Sequence, residues 1–139
     1  MQNYSYYLYL KIWHPAISPE IITQELGIEP KNTCMVGEQR RTPKGNKLEG
    51  TYRESYWVAD PFGRGEYSST DDLAEDSIIE VIERLQKHGR FLNELREQDA
   101  RIHLHLSSVS DRNYAIELPP QMLAELARLG VSFVHDVYQ

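Results

Sequence analysis

Residues 4–12 alternate strictly between two sides, and this alternation limits the fold more than any other feature of the chain. One side consists of Tyr4, Tyr6, Leu8, Leu10 and Ile12, and the other consists of Ser5, Tyr7, Tyr9 and Lys11. A period of two residues with aromatic enrichment is typical of a β-strand that has one face in a core and the other near solvent. We therefore expect a sheet with one covered face, which leaves Tyr7 and Tyr9 on the opposite face.

A first helix is predicted to follow, because residues 18–30 contain start and stop signals at suitable spacing. Ser18 can accept a hydrogen bond from a free backbone N–H of the first turn, and Pro19 suits the first helical position. Gly27 is expected to adopt the left-handed conformation that ends the helix, and Pro30 blocks its resumption.

Further helices are predicted in the second half of the chain. Asp72 and Glu75 have the spacing of a capping box, with Asp in place of Ser or Thr, ahead of an apolar stripe of helical period. A short helix is expected around residues 91–95. A last helix is expected within residues 119–130, which begin with two prolines and end with a glycine.

Strands are predicted wherever the alternation returns. The predicted segments are 33–36, 52–59, 101–106, 114–118 and 131–137. The segment at 114–118 is expected to form a hairpin with the one before it. This order favours the α+β class, with a mixed or antiparallel sheet and the helices on one face. We expect one domain over residues 1–139, with a ferredoxin-like β-α-β-β-α-β core and a C-terminal α-β extension.

The inward positions of these elements predict one hydrophobic core. They are Leu8, Leu10, Ile12, Ile78, Ile82, Leu85, Ile102, Leu104, Leu106, Ile116, Leu126 and Phe133. A chain of 139 residues is long enough to bury such a core without disulfides or metals.

Composition argues against several classes of protein. Residues 1–70 hold eight basic and eight acidic side chains, so the net charge of −6 lies in residues 71–139. An acidic chain is repelled by phosphate backbones, which argues against general nucleic-acid binding. No apolar run approaches the roughly 20 residues of a membrane span, and the first residues lack a signal-peptide pattern. The lone Cys34 fits a reducing compartment, so we expect a cytoplasmic protein without membrane attachment.

Residues 31–53 form a basic segment in this acidic chain. They hold six of the fifteen Lys and Arg residues against two acids, which gives a charge of +4. Arginine offers a bidentate fork for carboxylate or phosphate, so the segment is a candidate site for an acidic protein or a small anion. The candidate binding residues are Arg40, Arg41, Lys44 and Arg53.

The alternative for this segment is a mobile loop whose charges are solvated. Pro43, Gly45, Asn46 and Gly50 interrupt any regular pattern and predict that residues 37–50 lack a β-ladder. The spacing also matches no Walker-type phosphate loop.

Aromatic residues provide a second candidate binding surface. Tyr7 and Tyr9 share the open side of the first strand, and Trp57 belongs to the aromatic strand at 52–59. Tyr and Trp are enriched at protein interfaces, which favours a protein partner and is compatible with a homodimer. RNA-binding sheets also use such platforms, but the net charge is wrong and no RNP-like sequence is present. The alternative is that another layer, such as the 31–55 segment, covers this face.

Two histidines on the predicted strand at 101–106 are the candidate metal ligands. His103 and His105 lie on one face of that strand, and neutral imidazole is a common zinc ligand. A third ligand would have to come from His135 or Asp136 on another strand. Two polar residues on a solvated sheet face are the alternative, which we favour, so we predict no metal and no cofactor.

Cys34 is the candidate nucleophile. The basic segment around it could lower its pKa, and His14 could act as a base. A lone cysteine between apolar neighbours is more typical of a small buried side chain. We therefore predict no catalytic residue and no enzymatic activity.

Several short motifs resemble a known family. They are Pro19-Glu20-Ile21-Ile22-Thr23, Leu26-Gly27-Ile28-Glu29-Pro30, Gly37-Glu38, Tyr56-Trp57-Val58, and Leu129-Gly130 followed by Tyr138. With the Tyr-rich first strand they make most of the chain similar to the bacterial family called domain of unknown function 4279. One departure is Trp13-His14, where the family usually has a Gly at the end of the first strand.

The resemblance implies a small bacterial cytosolic protein and carries no activity or catalytic residues. Some relatives lie near toxin genes, which implies an immunity-type or interaction role. Two hypotheses follow for this chain. The first is a non-enzymatic protein-interaction module that uses the aromatic face or the basic segment. The second is a sensor or enzyme that binds a small anion at residues 31–53, for which a deep pocket with convergent arginines is required.

Overall fold

The computed structural model describes residues 3–139, which form a six-stranded sheet, a separate two-stranded hairpin and four helices. In chain order the elements are β1 (Ser5–His14), α1 (Pro19–Leu26), β2 (Asn32–Cys34), β3 (Gln39–Arg41), β4 (Lys47–Thr51), β5 (Ser55–Ala59), β6 (Tyr67–Ser68), α2 (Ala74–Gln86), α3 (Gly89–Glu97), β7 (Arg101–Val109), α4 (Pro120–Leu129) and β8 (Ser132–Val137).

β1 is the central strand of the six-stranded sheet. It pairs antiparallel with β7 on one side, and with β5 and the short β6 on the other. Its even-numbered residues are buried and its odd-numbered residues are half-buried, as the alternation predicts. Every inward side chain of β1 therefore contributes to the core, and every outward one lies on the opposite face.

The order of the sheet is β2-β5-β1-β7-β8, with β6 beside β1. Neighbouring strands are antiparallel except β7 and β8, which are parallel and joined through α4. A parallel pair needs such a crossover, because a tight turn can join only antiparallel strands. The α+β class with a mixed sheet is confirmed. The ferredoxin-like arrangement is not confirmed, because β1 is antiparallel to both of its neighbours and the parallel pair lies at the sheet edge.

The strand predicted at 114–118 is wrong. Residues 110–119 form an irregular connection, and β8 lies beside β7 where the hairpin partner would have paired. Tyr114, Ile116 and Leu118 instead lie half-buried against the core. Their alternation reflects the packing of a connection against the core, which gives the same sequence pattern as a strand.

One hydrophobic core lies between the inward face of the sheet and the helices. The predicted core residues are buried, except that Ile116 and Phe133 are half-buried at its margin. Aromatic side chains are part of this core. Tyr6 and Trp57 are fully enclosed, and the ring of Tyr6 stacks on that of Tyr67 with centroids 4.8 Å apart.

The start of α1 and the ends of α1 and α4 lie where the sequence predicts them, but the side-chain cap of α1 does not form. Gly27 and Gly130 adopt left-handed conformations with φ of 66° and 72°, as expected for helix ends. Ser18 occupies the cap position of α1, but its side chain makes no cap hydrogen bond. Pro19 lies at the first helical position, where the missing N–H has no cost.

The start of α2 is capped by Tyr4, the residue just before β1. The capping box predicted from Asp72 and Glu75 is wrong, because α2 begins after Leu73 without a side-chain cap from its own segment. The hydroxyl of Tyr4 instead accepts a hydrogen bond from the backbone N–H of Ala74 at 3.0 Å. A tyrosine just before the central strand thus satisfies one of the free N–H groups of α2 and fixes the helix on the sheet.

Residues 39–51 form a β-hairpin, which corrects the expectation of an irregular loop. β3 and β4 pair antiparallel, and every residue of the two strands is exposed. Pro43, Gly45 and Asn46 are confined to the turn, and Gly50 adopts a φ of 84° within a ladder whose register shifts. These turn residues end the two strands, but they do not prevent β3 and β4 from pairing.

Leu104 tests the placement of the core. It is fully buried and pairs with Leu10 across the two central strands. We expect Leu104→Ala to lower the free energy of unfolding by about 2–5 kcal/mol, because it leaves a cavity. Urea unfolding measures the change. Leu123→Ala on α4, where Leu123 is 49% exposed, is the control and should cost less than about 0.5 kcal/mol. Equal costs would contradict the assignment.

Tyr6 contributes to the pH dependence of the free energy of unfolding at alkaline pH. Burial is the main cause that raises the pKa of its hydroxyl above the ordinary value of about 10. The hydroxyl donates to the carbonyl oxygen of Asp72 at 2.8 Å and lies 2.7 Å from Ser77 Oγ. The unfolded chain ionises first, so this contribution to stability is present below pH of about 10 and is lost as the pH rises toward the folded-state pKa.

We therefore expect the free energy of unfolding to fall with rising pH above about 10. Tyr6→Phe should make this slope shallower by up to about 1.4 kcal/mol per pH unit, which corresponds to one proton. Urea unfolding at several alkaline pH values measures the slope, which is a better readout than the absolute free energy because the variant also loses two hydrogen bonds. An unchanged slope would show that Tyr6 is not protected from ionisation.

Candidate functional site

The buried apolar side chains of the four helices belong to the core on one face of the sheet, and we call the other face the open face. Its centre is formed by Tyr7, Tyr9, Lys11 and Trp13 of β1 and by Arg101, His103, His105 and Ser107 of β7. In the register, Tyr9 lies opposite His105, Lys11 opposite His103 and Trp13 opposite Arg101. These side chains are half-buried, except that Arg101 is exposed. They therefore remain accessible from solvent.

An aromatic and cationic cluster surrounds Trp13 at the end of β1. The centroid of the Trp13 ring lies 5.2 Å from that of Tyr56 on β5 and 4.8 Å from that of His103 on β7. The guanidinium of Arg101 lies over the Trp13 ring at 4.7 Å and bonds to Glu54 at 2.8 Å. A cation over an indole face is worth about 0.5–1 kcal/mol at an exposed site. Trp13 is thus held by contacts from two other strands.

The opposite end of the open face carries a tyrosine pair. Tyr7 and Tyr9 stack with ring centroids 6.1 Å apart, and the ammonium of Lys31 lies 5.1 Å above the Tyr9 ring. The nearby Glu66 carboxylate is the main cause that raises the pKa of Tyr7. The structure therefore places Tyr7 and Tyr9 on the open face, where the sequence predicted them.

A cleft of about 720 Å³ separates the β3–β4 hairpin from the Trp13 end of the open face. Trp13 and Tyr56 form its floor, and Arg40 and Arg53 belong to the wall on the hairpin side. We call it the Trp13 cleft. Its volume lies within the range of roughly 300–1,000 Å³ that is typical of ligand pockets. It is the place where the aromatic surface and the basic segment meet.

Alternation along β3 sends Arg40 and Arg41 to opposite sides of the hairpin. Arg40 lines the Trp13 cleft, whereas Arg41 lines a second cleft of about 500 Å³ beside the start of α1. Each guanidinium donates to a backbone carbonyl of the hairpin, Arg40 to Glu49 and Arg41 to Gly45, both at 3.1 Å. Lys44 lies exposed in the turn. Of the predicted cations, Arg40 and Arg53 therefore share the Trp13 cleft, whereas Arg41 and Lys44 lie elsewhere.

Comparison with known proteins identifies the family. The family model described as Domain of unknown function (DUF4279) matches residues 4–139. The chain belongs to the DUF4279 family. This confirms the resemblance of the short motifs. No curated protein and no solved structure matches the chain. Along residues 3–139 of this DUF4279 chain, no helix has the length and apolar character needed to cross a membrane.

Trp57 is not a surface residue in this DUF4279 chain, which corrects its prediction as a binding residue. It is 0% exposed on the inward face of β5, and its indole N–H donates to Thr23 Oγ1 of α1 at 2.9 Å. The neighbouring Tyr56 lies on the open face instead. Sequence reasoning missed Tyr56 because a one-residue error in parity exchanges the two faces of a strand. Its pairing with Trp13 identifies the correct face.

The environment of His103 and His105 favours neutral imidazoles. The pKa of each is lowered chiefly by burial and secondly by a neighbouring cation, which is Arg101 for His103 and Lys11 for His105. A neutral imidazole can donate and accept hydrogen bonds without adding charge. These two histidines thus extend the aromatic surface of the open face without making it more basic at neutral pH.

The candidate third metal ligands do not complete a site with these histidines. Asp136 Oδ2 lies 3.7 Å from His105 Nε2, which is close enough for an ion pair when the imidazole is protonated. His135 lies on the other face, where its Nε2 is 2.6 Å from Ser108 Oγ. Within the described residues 3–139, no group of three or more His, Cys, Asp or Glu is placed to hold a metal ion.

Cys34 and His14 lie on different faces of the sheet. Cys34 is half-buried beside the Trp13 cleft, and burial raises the pKa of its thiol, which favours the unreactive protonated form. His14 Nδ1 accepts hydrogen bonds from the backbone N–H groups of Ala16 and Ile17 at 2.9 Å, and its Nε2 lies 2.7 Å from Gln98 Oε1. Both ring nitrogens are engaged, so His14 stabilises the turn after β1.

We predict that the purified protein holds no transition metal, because His103 and His105 lack a third ligand. Elemental analysis of protein purified without an affinity tag measures the metal content. Stoichiometric zinc that disappears when His103→Ala and His105→Ala are combined would overturn the prediction. The wild type should also show unchanged thermal stability in the presence of a chelator.

Proposed function

We propose that this chain is a non-enzymatic protein-interaction module that binds an acidic surface of a partner protein at the Trp13 cleft. The contact surface consists of the Trp13–Tyr56 floor and the basic hairpin beside it. The observation that carries the proposal is that aromatic and cationic groups meet there in one depression open to solvent. Either group alone is common on protein surfaces, whereas their combination is typical of binding sites.

The aromatic floor suits recognition of a protein. Trp and Tyr supply large contact areas with few rotatable bonds, and they dominate the residues that contribute most to binding energy. Trp13 already contacts Tyr56, His103 and Arg101 in the free chain. Because these contacts restrict its side chain in advance, binding costs less conformational entropy.

The charge of the hairpin defines the chemistry of the partner. Residues 31–53 carry +4 in a chain of net charge −6. Arg40 and Arg53 line the cleft, and one of the acids there, Glu54, is already bonded to Arg101. Two arginines and two glutamates line the cleft, so the attraction of an acidic surface at low salt comes from the +4 charge of the whole segment.

The environment of the cleft supports binding rather than catalysis. Cys34 at its edge has a raised pKa, and the base proposed for it, His14, lies on the other face. The resemblance to proteins encoded near toxin genes favours an immunity-type role in the bacterial cytoplasm, with an acidic toxin surface as the partner. This finer assignment rests on the resemblance and on charge complementarity together.

A sensor or enzyme that binds a small anion at residues 31–53 is the alternative function. It requires arginines of the segment to converge on one ligand, as bidentate recognition of phosphate demands. Arg40 and Arg53 share the Trp13 cleft, but Glu49 and Glu54 line it as well and disfavour a small anion, and Arg41 lines the other cleft. We therefore favour the protein partner.

Arg40 and Arg41 offer a matched pair of variants for a binding test. Arg40→Gln and Arg41→Gln remove the same charge from adjacent positions, but only Arg40 lines the Trp13 cleft. With a partner captured from the native host and then purified, calorimetry at two salt concentrations measures the affinity. We expect Trp13→Ala to weaken binding by at least about tenfold, as for an aromatic hot spot. Arg40→Gln should weaken it more than Arg41→Gln and reduce its salt dependence.

Stability provides the control for this experiment. Replacing Arg40, Arg41 and Lys44 together should slow association while the free energy of unfolding changes by less than about 1 kcal/mol, because these charges are exposed. A partner that binds Trp13→Ala and Arg40→Gln as tightly as the wild type would refute the proposal. Thermal stabilisation by phosphate that needs both Arg40 and Arg53 would support the small-anion alternative instead.

A further inference from the structure

β8 is an unprotected edge of the six-stranded sheet. It is the last strand in the order β2-β5-β1-β7-β8 and pairs only with β7 among the described strands. The opposite edge, β2, is three residues long, whereas β8 runs for six. A long edge strand presents a row of free N–H and C=O groups that can pair with another chain.

The backbone groups that point away from β7 can be assigned from one hydrogen bond. Tyr138 N–H donates to the carbonyl oxygen of Ser108 at 3.0 Å, so residue 138 points its backbone toward β7. Successive residues of a strand alternate in this direction, and therefore Phe133, His135 and Val137 point their N–H and C=O groups outward. Within residues 3–139 these groups have no hydrogen-bond partner.

Proline, lysine and bulges, which often protect an edge strand, are missing from β8. Its sequence, Ser-Phe-Val-His-Asp-Val, contains no proline and no lysine, and its pairing with β7 runs without a bulge. Its single acid, Asp136, lies on the open face beside His105 rather than along the edge. Val137 is 59% exposed, so its side chain is accessible to a second strand at this edge.

We propose that a second copy of this chain pairs antiparallel with β8, so that the two sheets continue into each other through a two-fold axis at His135. Around this axis, Phe133 of one copy lies opposite Val137 of the other, because the two residues are equidistant from His135 in the sequence. The symmetry repeats this apolar pair on the other side of the axis. The outward N–H and C=O groups of Phe133, His135 and Val137 meet their counterparts in the second copy.

Self-complementarity argues for a second copy rather than an unrelated strand. One strand supplies both members of each apolar pair, and its inward-facing positions carry no acid and no lysine or arginine that would repel its own copy. The interface lies at the edge opposite β2, whereas the Trp13 cleft lies among β1, β5 and the hairpin. Pairing through β8 therefore leaves both clefts free and does not depend on the proposed function.

Site-specific cross-linking tests the proposed register. In antiparallel pairing about His135, the two copies of residue 135 form a hydrogen-bonded pair with Cα atoms about 5.5 Å apart. The two copies of residue 137 are then separated by four residues along the strands, or about 13 Å. In a Cys34→Ser background, a short thiol-specific cross-linker should join His135→Cys into a covalent dimer and leave Val137→Cys largely uncoupled. Equal or reversed yields would overturn the register.

The oligomeric state tests the interface itself. Sedimentation of the full chain over a wide range of concentrations should show a monomer–dimer equilibrium. Val137→Lys should raise the dissociation constant by at least about tenfold, because it disrupts both copies of the cross-strand pair, while Val137→Ala should raise it less. Circular dichroism confirms that each variant is folded. A chain that remains monomeric at all concentrations, or a dimer that Val137→Lys leaves unchanged and that His135→Cys does not cross-link, would overturn the proposal.

Discussion

The antiparallel pairing of β1 with β7 is the interaction on which the rest of the structure depends. Nine cross-strand pairs, from Ser5–Val109 to Trp13–Arg101, fix the register. A shift by one residue would move every buried side chain of one strand to the other face, so burial allows a single register. The helices then cover the inward face, and Tyr4 ties α2 to β1 through the hydrogen bond to Ala74. Because the helices cover only the inward face, the other face of the sheet is left open.

Alternation along strands also explains why adjacent residues of similar chemistry differ in role. Tyr56 forms the floor of the Trp13 cleft, while Trp57 is enclosed in the core and bonded to α1. Arg40 lines that cleft, while Arg41 lines the other side of the hairpin. The composition of a segment therefore determines which types of side chain it carries. The register of the strand determines which of these side chains lie on the face that a partner can contact.

Local signals predicted much of the fold, since the alternation of β1 and the glycine ends of α1 and α4 act within a few residues. Long-range contacts were not predictable in this way. The cap of α2 comes from Tyr4, about seventy residues earlier, and the strand-like pattern at 114–118 concealed that β8 is the partner of β7. Of the candidate site, Tyr7 and Tyr9 could be placed from parity alone, but Tyr56 needed the pairing of β1 with β5.

The two tryptophans of the chain allow a direct measurement of whether the open face is uncovered. Trp13 is half-buried at the cleft, whereas Trp57 is 0% exposed. Acrylamide quenching of fluorescence compares the wild type with Trp13→Phe. We predict that the wild type shows a readily quenched component and that Trp13→Phe loses it, leaving blue-shifted emission that resists quenching. If acrylamide quenches the fluorescence of Trp13 as little as that of Trp57, another layer covers this face. That result would contradict the proposed contact surface.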